Sequence, residues 1–193
     1  SLVGSEMCIR DRVTAGPTYE RIDPVRFIGN FSTGKMGVCI AEALAAKGAT
    51  VTLIAGPGVK YTSHHHINVT EVESAAEMYS ATMKIAGNCQ VMVLAAAVAD
   101  YRPDEVAVNK IKKGDAGLVL HLTKTDDILA SLGKIKAPQQ TLVGFALETD
   151  NEVTHATKKL NDKNADMIVL NSLRDAGAGF GHDTNKYLEY WSI

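Results

Sequence analysis

The chain has 193 residues, of which 46% are hydrophobic and 22% are charged, and its formal net charge at pH 7 is −2. These values are typical of a soluble globular protein with one domain and a substantial core. A net charge this small excludes a global field that would draw the protein to nucleic acid or to an anionic membrane, so we expect neither partner. Any anion site must be built locally, from a few lysines and backbone amides.

The cysteines and the lack of long apolar runs indicate the compartment. Cys8, Cys39 and Cys89 are far apart and form no Cys-x-x-Cys pair. This pattern argues against a disulfide framework or a structural zinc site and favours a reducing compartment. The sequence shows no apolar run long enough to span a bilayer and no signal-peptide pattern, so we predict a cytoplasmic protein.

Both ends of the sequence look unusual for a natural domain. The polar tripeptide at 10–12 precedes Val13, where an apolar first strand is expected, and the chain stops abruptly after YLEYWSI (187–193). We therefore expect one or both ends to be truncated or foreign. Residues 1–12 are predicted to be such a leader, and residues 13–193 to form the domain, with its C-terminal end a candidate for truncation.

Strands are predicted wherever a short apolar, β-branched run ends in a turn. After Val13, the remnant of a first strand, these runs lie at 51–55, 67–72, 91–97, 118–122, 142–146 and 167–170. The run at 91–97 (VMVLAAA) is apolar throughout, as expected for a strand that is covered on both faces of a parallel sheet.

Helices are predicted between these strands, at 34–47, 74–86, 126–133 and 151–164. The first has the apolar spacing of a core-facing helix, and Gly48 is a suitable stop. In the second, Ser74 and Glu77 have the spacing of a capping box. Asp126 and Asp127 are assigned to the first turn of the third helix, where carboxylates interact favourably with the helix dipole.

The alternation of strands and helices predicts the fold class. It is α/β, with a doubly wound, mostly parallel Rossmann-like sheet and helices on both faces. Residues 101–123 interrupt the rhythm, because they are too polar and turn-rich for a crossover helix. They are predicted to be a flap insertion after the fourth strand, and such insertions commonly carry function.

The stretch NFSTGKMG (30–37) has the small residues and the lysine of a phosphate loop, but it matches neither standard pattern. Met36 stands where a Walker loop needs Ser or Thr, and Gly-x-Gly-x-x-Gly is absent. Ser32 and Thr33 are candidate N-caps, and Gly34 would let a ligand approach closely. The free amides of a helix start suit a phosphate or a carboxylate, but an ordinary capped helix is an equally good interpretation of this stretch alone.

Lysines cluster where the predicted fold places its strand ends and helix starts. Three lie in the flap, Lys124 leads into the third helix, and Lys159 and Lys163 share a face of the fourth helix. Singly, most of them are better explained as solvated surface. Together with the loop at 30–37 they favour a site for an anionic ligand. The three adjacent histidines at 64–66 are assigned to an exposed loop rather than to a metal site, because they lack further ligands at suitable spacing.

A nicotinamide-dependent oxidoreductase on a similar fold is the main alternative. An acidic residue normally ends the second strand of such enzymes and binds the ribose, but here that strand ends in Ala55 and Gly56. The Tyr-x-x-x-Lys pair of short-chain dehydrogenases is also missing. The alternative is therefore disfavoured.

Six motifs, in one unbroken order, resemble bacterial phosphopantothenoylcysteine synthetase, over residues 13–186. They are TAGPTYERIDPVRFIGNFSTGKMG (14–37), AAAVADYRP (95–103), NKIKK (109–113), LTKTDDIL (122–129), GFALET (144–149) and KKLNDKNADMIVLN (158–171). The resemblance implies CTP-dependent ligation of 4′-phosphopantothenate to cysteine, with Mg²⁺, in coenzyme A synthesis. CTP would first activate the carboxylate as an acyl-cytidylate, and the amine of cysteine would then displace CMP.

The resemblance also implies roles for particular residues. Nucleotide contacts are expected from Ala95, Ala96, Asp100, Lys110, Thr123, Lys124, Thr125, Asp126, Phe145, Lys159 and Lys163. Lys110 would stabilise charge on the acyl phosphate, Asn30 would bind the acyl-cytidylate, and Arg26 would lie near the phosphopantothenate. Contacts to the substrate are expected from Asn30, Ser32, Thr33, Gly34 and Lys35. The residues that would bind the metal are unknown.

In this family the domain is usually fused to a flavin-dependent decarboxylase and forms a homodimer, with the flap and Lys110 at the subunit interface. The resemblance therefore implies a homodimer and, in a longer protein, a decarboxylase domain before the synthetase domain. A catalytically silent, ligand-binding relic is a third interpretation, suggested by the unusual ends.

Overall fold

The computed structural model describes residues 9–114, 117–148, 151–172 and 187–191. Residues 1–8 of the expected leader (1–12), and the last part of the resemblance, 173–186, lie outside the described residues. The strands are β1 (Arg10–Ala15), β2 (Tyr19–Arg21), β3 (Phe27–Gly29), β4 (Thr50–Ala55), β5 (Ile67–Glu71), β6 (Val91–Leu94), β7 (Tyr101–Pro103), β8 (Leu122–Lys124), β9 (Thr141–Glu148), β10 (Met167–Ser172) and β11 (Tyr187–Trp191). The helices are α1 (Lys35–Ala46), α2 (Ala75–Lys84), α3 (Ile128–Ile135) and α4 (Glu152–Asp162), and a short 3₁₀ turn spans Ala86–Asn88.

Seven strands form one sheet in the order β11-β10-β9-β6-β1-β4-β5. All neighbouring pairs are parallel except β10 and β11, which are antiparallel. The strand order reverses between β1 and β6, and ligands of such sheets bind beyond the carboxyl ends of the strands at this switch point. The predicted fold class, a doubly wound and mostly parallel sheet, is confirmed.

Two apolar clusters cover the two faces of the sheet. On one face, Val13 and Leu53 pack with α1 residues such as Ala41. On the other, Met92 packs with residues of α2, α3 and α4, among them Met78 and Leu132. The period-two alternation of each strand sends successive side chains to opposite faces, which gives the strands their continuous apolar character. None of the described helices has the length and apolarity needed to cross a membrane.

The observed boundaries of α1 and α2 lie within one or two residues of those predicted, and those of α3 are shifted by two residues. The capping box at α2 is confirmed, since Ser74 Oγ accepts the Glu77 amide at 3.2 Å. At α1 the candidate N-caps Ser32 and Thr33 were wrong. Gly34 is the N-cap, with a positive φ of 73°, and no side chain caps the helix. A residue with a Cβ is strained in that conformation, so the glycine decides where the helix begins.

The third helix begins two residues later than expected. Asp127 is its N-cap and accepts the Ala130 amide at 2.7 Å, while Asp126 lies outside the helix. Their assignment to the first helical turn was therefore wrong. A capping aspartate needs an extended backbone, and Asp127 has φ −83° and ψ 102°.

The strand expected at 118–122 is also displaced, because β8 spans Leu122–Lys124 and pairs with β7 in a separate two-stranded sheet. Leu118 and Val119 are exposed and outside that ladder. Similarly, β6 ends at Leu94, where the main chain leaves the sheet toward the flap. The ends of β6 and β8 are therefore set by backbone pairing rather than by apolar composition.

The unusual ends also belong to the sheet where the structure describes them. Arg10, Asp11 and Arg12 form the first half of β1, in register with β4 and β6. Arg12 is fully buried, and its guanidinium donates to Thr82 O and, at 3.3 Å, to Cys89 Sγ. Residues 187–191 form β11 along β10.

Candidate active site

A cavity of about 550 Å³ opens beyond the carboxyl ends of β1, β6 and β9. Its volume lies within the range of small-molecule sites, about 300–1,000 Å³. Seven of the expected nucleotide-binding residues line it: Ala96, Asp100, Lys124, Thr125, Asp126, Phe145 and Lys159. Of the other expected nucleotide-binding residues, Ala95 and Thr123 are neighbours of lining residues in the chain. The structure therefore brings most of the expected set to one site.

The segment 95–100 forms one wall, and hydrogen bonds fix it along its length. Thr14 Oγ1 accepts the Ala96 amide at 3.2 Å, and Thr18 Oγ1 accepts the Ala99 amide at 2.9 Å. On the far side, Thr125 donates its hydroxyl to Ala99 O at 2.6 Å. Three threonines therefore hold this segment beyond the end of β6, together with a backbone bond from the Ala97 amide to Gly16 O at 2.8 Å. Sequence analysis missed Thr14 and Thr18, since threonine is common in strands and turns without a functional role.

Two lysines of α4 point toward the start of α3. Lys159 is half-buried and donates to Phe145 O at 2.7 Å, which holds its ammonium at the cavity wall. Lys163, one turn later, forms an ion pair with Asp127, with Nζ and Oδ2 2.8 Å apart. Burial raises the pKa of Asp127, but the Ala130 amide and the charges of both lysines outweigh it, so the pKa lies below its usual value. The expected shared face of Lys159 and Lys163 is confirmed.

Asn30 contacts the same wall. Its Nδ2 donates to Val98 O at 2.9 Å and lies 3.5 Å from Ala97 O. Val98 also lines the cavity, so Asn30 is hydrogen-bonded to a residue of the cavity lining. Ser32 Oγ accepts the Gly34 amide at 3.2 Å, and Thr33 Oγ1 is 3.4 Å from the Lys35 amide. The loop at 30–35 is therefore ordered by its own side chains next to the cavity.

Close backbone approach explains the glycines of this loop. A Cβ on Gly37 would lie 2.6 Å from Ala15 Cβ and 2.9 Å from Thr14 O. A Cβ on Gly34 would lie 3.0 Å from Gly16 N. The start of α1 can therefore lie directly on the end of β1, which places the loop at the edge of the site.

Arg26 and Lys110 occupy a neighbouring region, where the flap meets the turn at 22–26. Arg26 Nη2 donates to Ile111 O at 2.6 Å, and its Nη1 lies 3.6 Å from Asp23 Oδ2. Lys110 is exposed and is not part of the cavity lining, in contrast to Asp100 and Lys159. Within this single chain, Asn30, Asp100 and Lys159 thus lie at one edge of the sheet, and Lys110 lies on the flap.

The three adjacent histidines lie in the loop before β5, as expected. His65 is exposed, and His64 and His66 are half-buried. The rings of His64 and His65 stack with centroids 4.8 Å apart. Among residues 9–114, 117–148, 151–172 and 187–191, no three His, Cys, Asp or Glu side chains are grouped so that they could bind a metal ion.

The doubly wound, Rossmann-like sheet, with a cavity at its switch point, defines an α/β class of protein. Residues 9–192 match the family described as the DNA/pantothenate metabolism flavoprotein C-terminal domain, and the chain belongs to that family.

Comparison with individual proteins gives the same result. The chain is 55% identical over 174 residues to a cysteine/cysteine sulfinic acid decarboxylase from an unknown prokaryotic organism, covering 90% of this chain and 48% of that protein. It is 47% identical over 179 residues to the coenzyme A biosynthesis bifunctional protein CoaBC of Haemophilus influenzae, covering 93% of this chain and 44% of that protein. A crystal structure of the C-terminal domain of a CoaBC protein matches with a TM-score of 0.78 and 44% identity, over 95% of this chain and 81% of that one.

These matches confirm the family expected from the six sequence motifs. The chain spans slightly less than half the length of the two named relatives.

Proposed function

We propose that the chain catalyses the CTP-dependent ligation of 4′-phosphopantothenate to cysteine in coenzyme A biosynthesis. The observation that carries the proposal is the shared wall at 95–100. This wall lines the lysine-bearing cavity, and Asn30 is bonded to it, with Nδ2 2.9 Å from Val98 O. A nucleotide in the cavity and an acyl group bound by Asn30 would therefore meet at this segment.

The first step joins two anions. An oxygen of the substrate carboxylate attacks the α-phosphorus of CTP, a P–O bond breaks, and pyrophosphate leaves. The product is an acyl-cytidylate, a mixed anhydride. Lys159 supports this step because its ammonium is held at the cavity wall, where it offsets the repulsion between carboxylate and triphosphate.

The second step forms the amide. The amine of cysteine attacks the acyl carbon, the bond from that carbon to the cytidylate oxygen breaks, and CMP leaves with the electron pair. The attacking nitrogen loses a proton in the process. Asn30 would polarise the acyl carbonyl, and Lys110 would stabilise charge on the acyl phosphate as it forms and breaks.

The remaining expected contacts follow from the positions of the loops. Ser32, Thr33, Gly34 and Lys35 would bind phosphopantothenate at the start of α1, where backbone amides and a lysine suit an anion. Lys163 would support the nucleotide through Asp127, with which it forms an ion pair.

The acidic side chains of the cavity fit a magnesium ion. Mg²⁺ takes oxygen ligands and is commonly bound by one or two carboxylates together with substrate phosphates. Asp100 and Asp126 both line the cavity and would hold the ion there. The ion would neutralise part of the triphosphate charge.

We also propose a cytoplasmic homodimer. The β2–β3 hairpin and the flap expose large apolar side chains, including Phe27, Phe31 and Val108, the last two at 84% and 88% exposure. Exposed apolar groups of this kind are typical of surfaces that pack on another subunit. A second copy would cover them and bring a flap with its Lys110 to the partner's site. In a longer protein, a decarboxylase domain would precede this one.

The name of one relative suggests a second candidate, decarboxylation of cysteine or cysteine sulfinic acid. That name belongs to a protein more than twice as long as the matched region, which is 48% of it. The oxidoreductase alternative has no support from the family match. The ligase is therefore the better-supported function.

Pyrophosphate release tests the proposal. The purified chain is incubated with Mg²⁺, CTP, 4′-phosphopantothenate and cysteine, with each omitted in turn, and release should require CTP and phosphopantothenate together. Parallel reactions with ATP, GTP and UTP test the nucleotide preference. Carbon dioxide released from cysteine without any nucleotide would support the decarboxylase instead, and reduction of NAD(P) would support the oxidoreductase.

A further inference from the structure

The flap is attached to the rest of the chain at its base and at its tip. At the base, β7 pairs with β8, and the Asp104 amide donates to His121 O at 3.0 Å. At the tip, the Ala107 amide donates to Ile22 O at 2.9 Å. The residues that follow, 108–110, are exposed and form an arch that ends at Ile111.

Both polar groups of the Ile111 peptide unit contact the turn at 22–26. The Ile111 amide donates to Asp23 Oδ2 at 3.1 Å, and the Ile111 carbonyl accepts from Arg26 Nη2 at 2.6 Å. These bonds join residues more than 80 positions apart in sequence. The arch therefore has a hydrogen-bonded residue at each end, Ala107 before it and Ile111 after Lys110.

The turn that makes these contacts is itself held by hydrogen bonds to Asp23. Asp23 is 1% exposed, and its Oδ1 accepts the amides of Val25 and Arg26 at 2.8 and 2.9 Å. Burial raises the pKa of Asp23, but three amide hydrogen bonds and the charge of Arg26 together hold it below its usual value. The carboxylate therefore accepts hydrogen bonds at both oxygens, one serving the turn and the other the flap.

We propose that Asp23 and Arg26 are positioning residues that clamp the Ile111 peptide and thereby fix the arch that presents Lys110. The clamp rests on geometry alone, whereas its effect on catalysis rests on the proposed function of Lys110. This differs from the direct contact with phosphopantothenate that the family resemblance implies for Arg26. The guanidinium of Arg26 is already engaged with Ile111 O and Asp23, so it acts through the flap.

Asp23→Asn is the most direct test. An amide has one acceptor oxygen, and whichever way it is turned, an NH₂ group replaces one of the two carboxylate oxygens. If the oxygen keeps the bonds of the turn, the NH₂ group faces the Ile111 amide and both are donors. Hydrogen–deuterium exchange of a peptide that contains Ile111 should then accelerate about tenfold, as expected for the loss of a hydrogen bond to a charged group. Exchange of β4 and β9 should not change.

Arg26→Gln removes the guanidinium that donates to the Ile111 carbonyl, because the glutamine amide is uncharged and ends two bonds short of Nη2, and it leaves the turn bonds of Asp23 in place. If Asp23→Asn lowers the fraction of folded protein, the Arg26→Gln variant still tests the clamp. Arg26→Lys keeps the charge but loses the fork of donors and should give intermediate exchange. Glu105→Gln changes an exposed charge on the same flap and should leave the exchange at Ile111 unchanged.

A double-mutant cycle tests the link to Lys110. Asp23→Asn should slow pyrophosphate release in the wild-type background but have less than about a twofold further effect in a Lys110→Gln background, because residues that act as a unit are non-additive. Unchanged exchange at Ile111 in both Asp23→Asn and Arg26→Gln would overturn the clamp. If Asp23→Asn slows pyrophosphate release as much in the Lys110→Gln background as in the wild type, Asp23 does not act by positioning Lys110. If the wild-type chain releases no pyrophosphate, the proposed function fails, and the exchange result alone still decides whether the clamp exists.

Discussion

Lys163 on α4 forms an ion pair with Asp127, the residue that caps α3, with Nζ and Oδ2 2.8 Å apart. The pair joins the helix that carries Lys159 to the helix start that borders the cavity. One carboxylate therefore serves both the stability of α3 and the arrangement of the site.

Asp127→Ala should lower the free energy of unfolding by about 1 kcal/mol at pH 7, through the loss of the N-cap. Because the pKa of Asp127 is lowered in the folded state, its contribution is fully present above the ordinary value of 3.8 and is lost as the pH falls through the folded-state value. The free energies of unfolding of the variant and the wild type, measured with urea, should therefore converge at acid pH. The exposed Asp162→Asn is the control, and a difference that persists in acid would contradict a role of the charged carboxylate.

Lys110→Gln should reduce the rate of pyrophosphate release about 10²-fold, a typical loss for one donor that stabilises transition-state charge. Lys110 is exposed, so the circular dichroism spectrum and thermal midpoint should stay close to those of the wild type. Lys134→Gln, at an exposed lysine in the last turn of α3, should retain activity. Near-normal turnover by Lys110→Gln would remove this residue from the mechanism.

Asn30→Asp should spare pyrophosphate release and impair amide formation. The new carboxylate would add negative charge opposite the acyl phosphate and would lose the donor to Val98 O. Separate assays for pyrophosphate and for the ligated product would show accumulation of the acyl-cytidylate. Asn68→Asp, at an exposed position on β5, is the matched control. Equal loss of both steps would contradict the assignment.

Arg12→Leu should stabilise the fold by about 1 kcal/mol or more. Arg12 faces the apolar cluster around Met92, burial lowers its pKa, and among the described residues its Nε has no hydrogen-bond partner. A well-packed apolar side chain avoids the cost of desolvating this charge. Urea unfolding measures the gain, and the exposed Arg10→Leu should change stability by less than about 0.5 kcal/mol. A destabilised Arg12→Leu would mean that the bonds to Thr82 and Cys89 outweigh the burial of the charge.

Gly37→Ala should destabilise the protein by about 1–3 kcal/mol, since the new methyl group would overlap Ala15 Cβ and the Thr14 carbonyl. The displaced helix start should also weaken binding at the adjacent loop. Gly87→Ala is the control, because a Cβ there meets nothing within 4 Å. Thermal unfolding compares the two variants, and equal midpoints would show that α1 can move away without cost.

Local patterns predicted those parts of the fold that local physics decides. The capping box at Ser74 and Glu77 lies within one helical turn, and the strand at 51–55 combines β-branched residues with a glycine turn. The start of α1 was predicted to within one residue, but its N-cap was not, because Gly34 takes that position with a positive φ and neither of the nearby hydroxyls caps the helix. Propensity alone does not reveal such a conformation.

The parts that were missed depend on contacts between distant segments. DPVR at 23–26 has the Asp-Pro signature of a turn, but nothing local shows that Asp23 also binds the amide of Ile111. The burial of Arg12 was not expected either, because its place in β1 follows from pairing with β4 and β6. For the site, the motifs predicted which residues line the cavity, whereas the threonines that hold its wall became apparent only from the fold.

The central position of β1 has a consequence for assembly of the domain. It is first among the described strands in the chain, yet it separates β4 and β5 from β6, β9, β10 and β11, and pairs directly with both groups. Without residues 10–15, the two groups would share no ladder of backbone hydrogen bonds. β1 must therefore pair with both groups before the sheet is complete. The cavity at the junction of β1 and β6 can form only after that pairing. Because this requires pairing with residues 40 and 80 positions away, we expect it to be a late and slow event in folding.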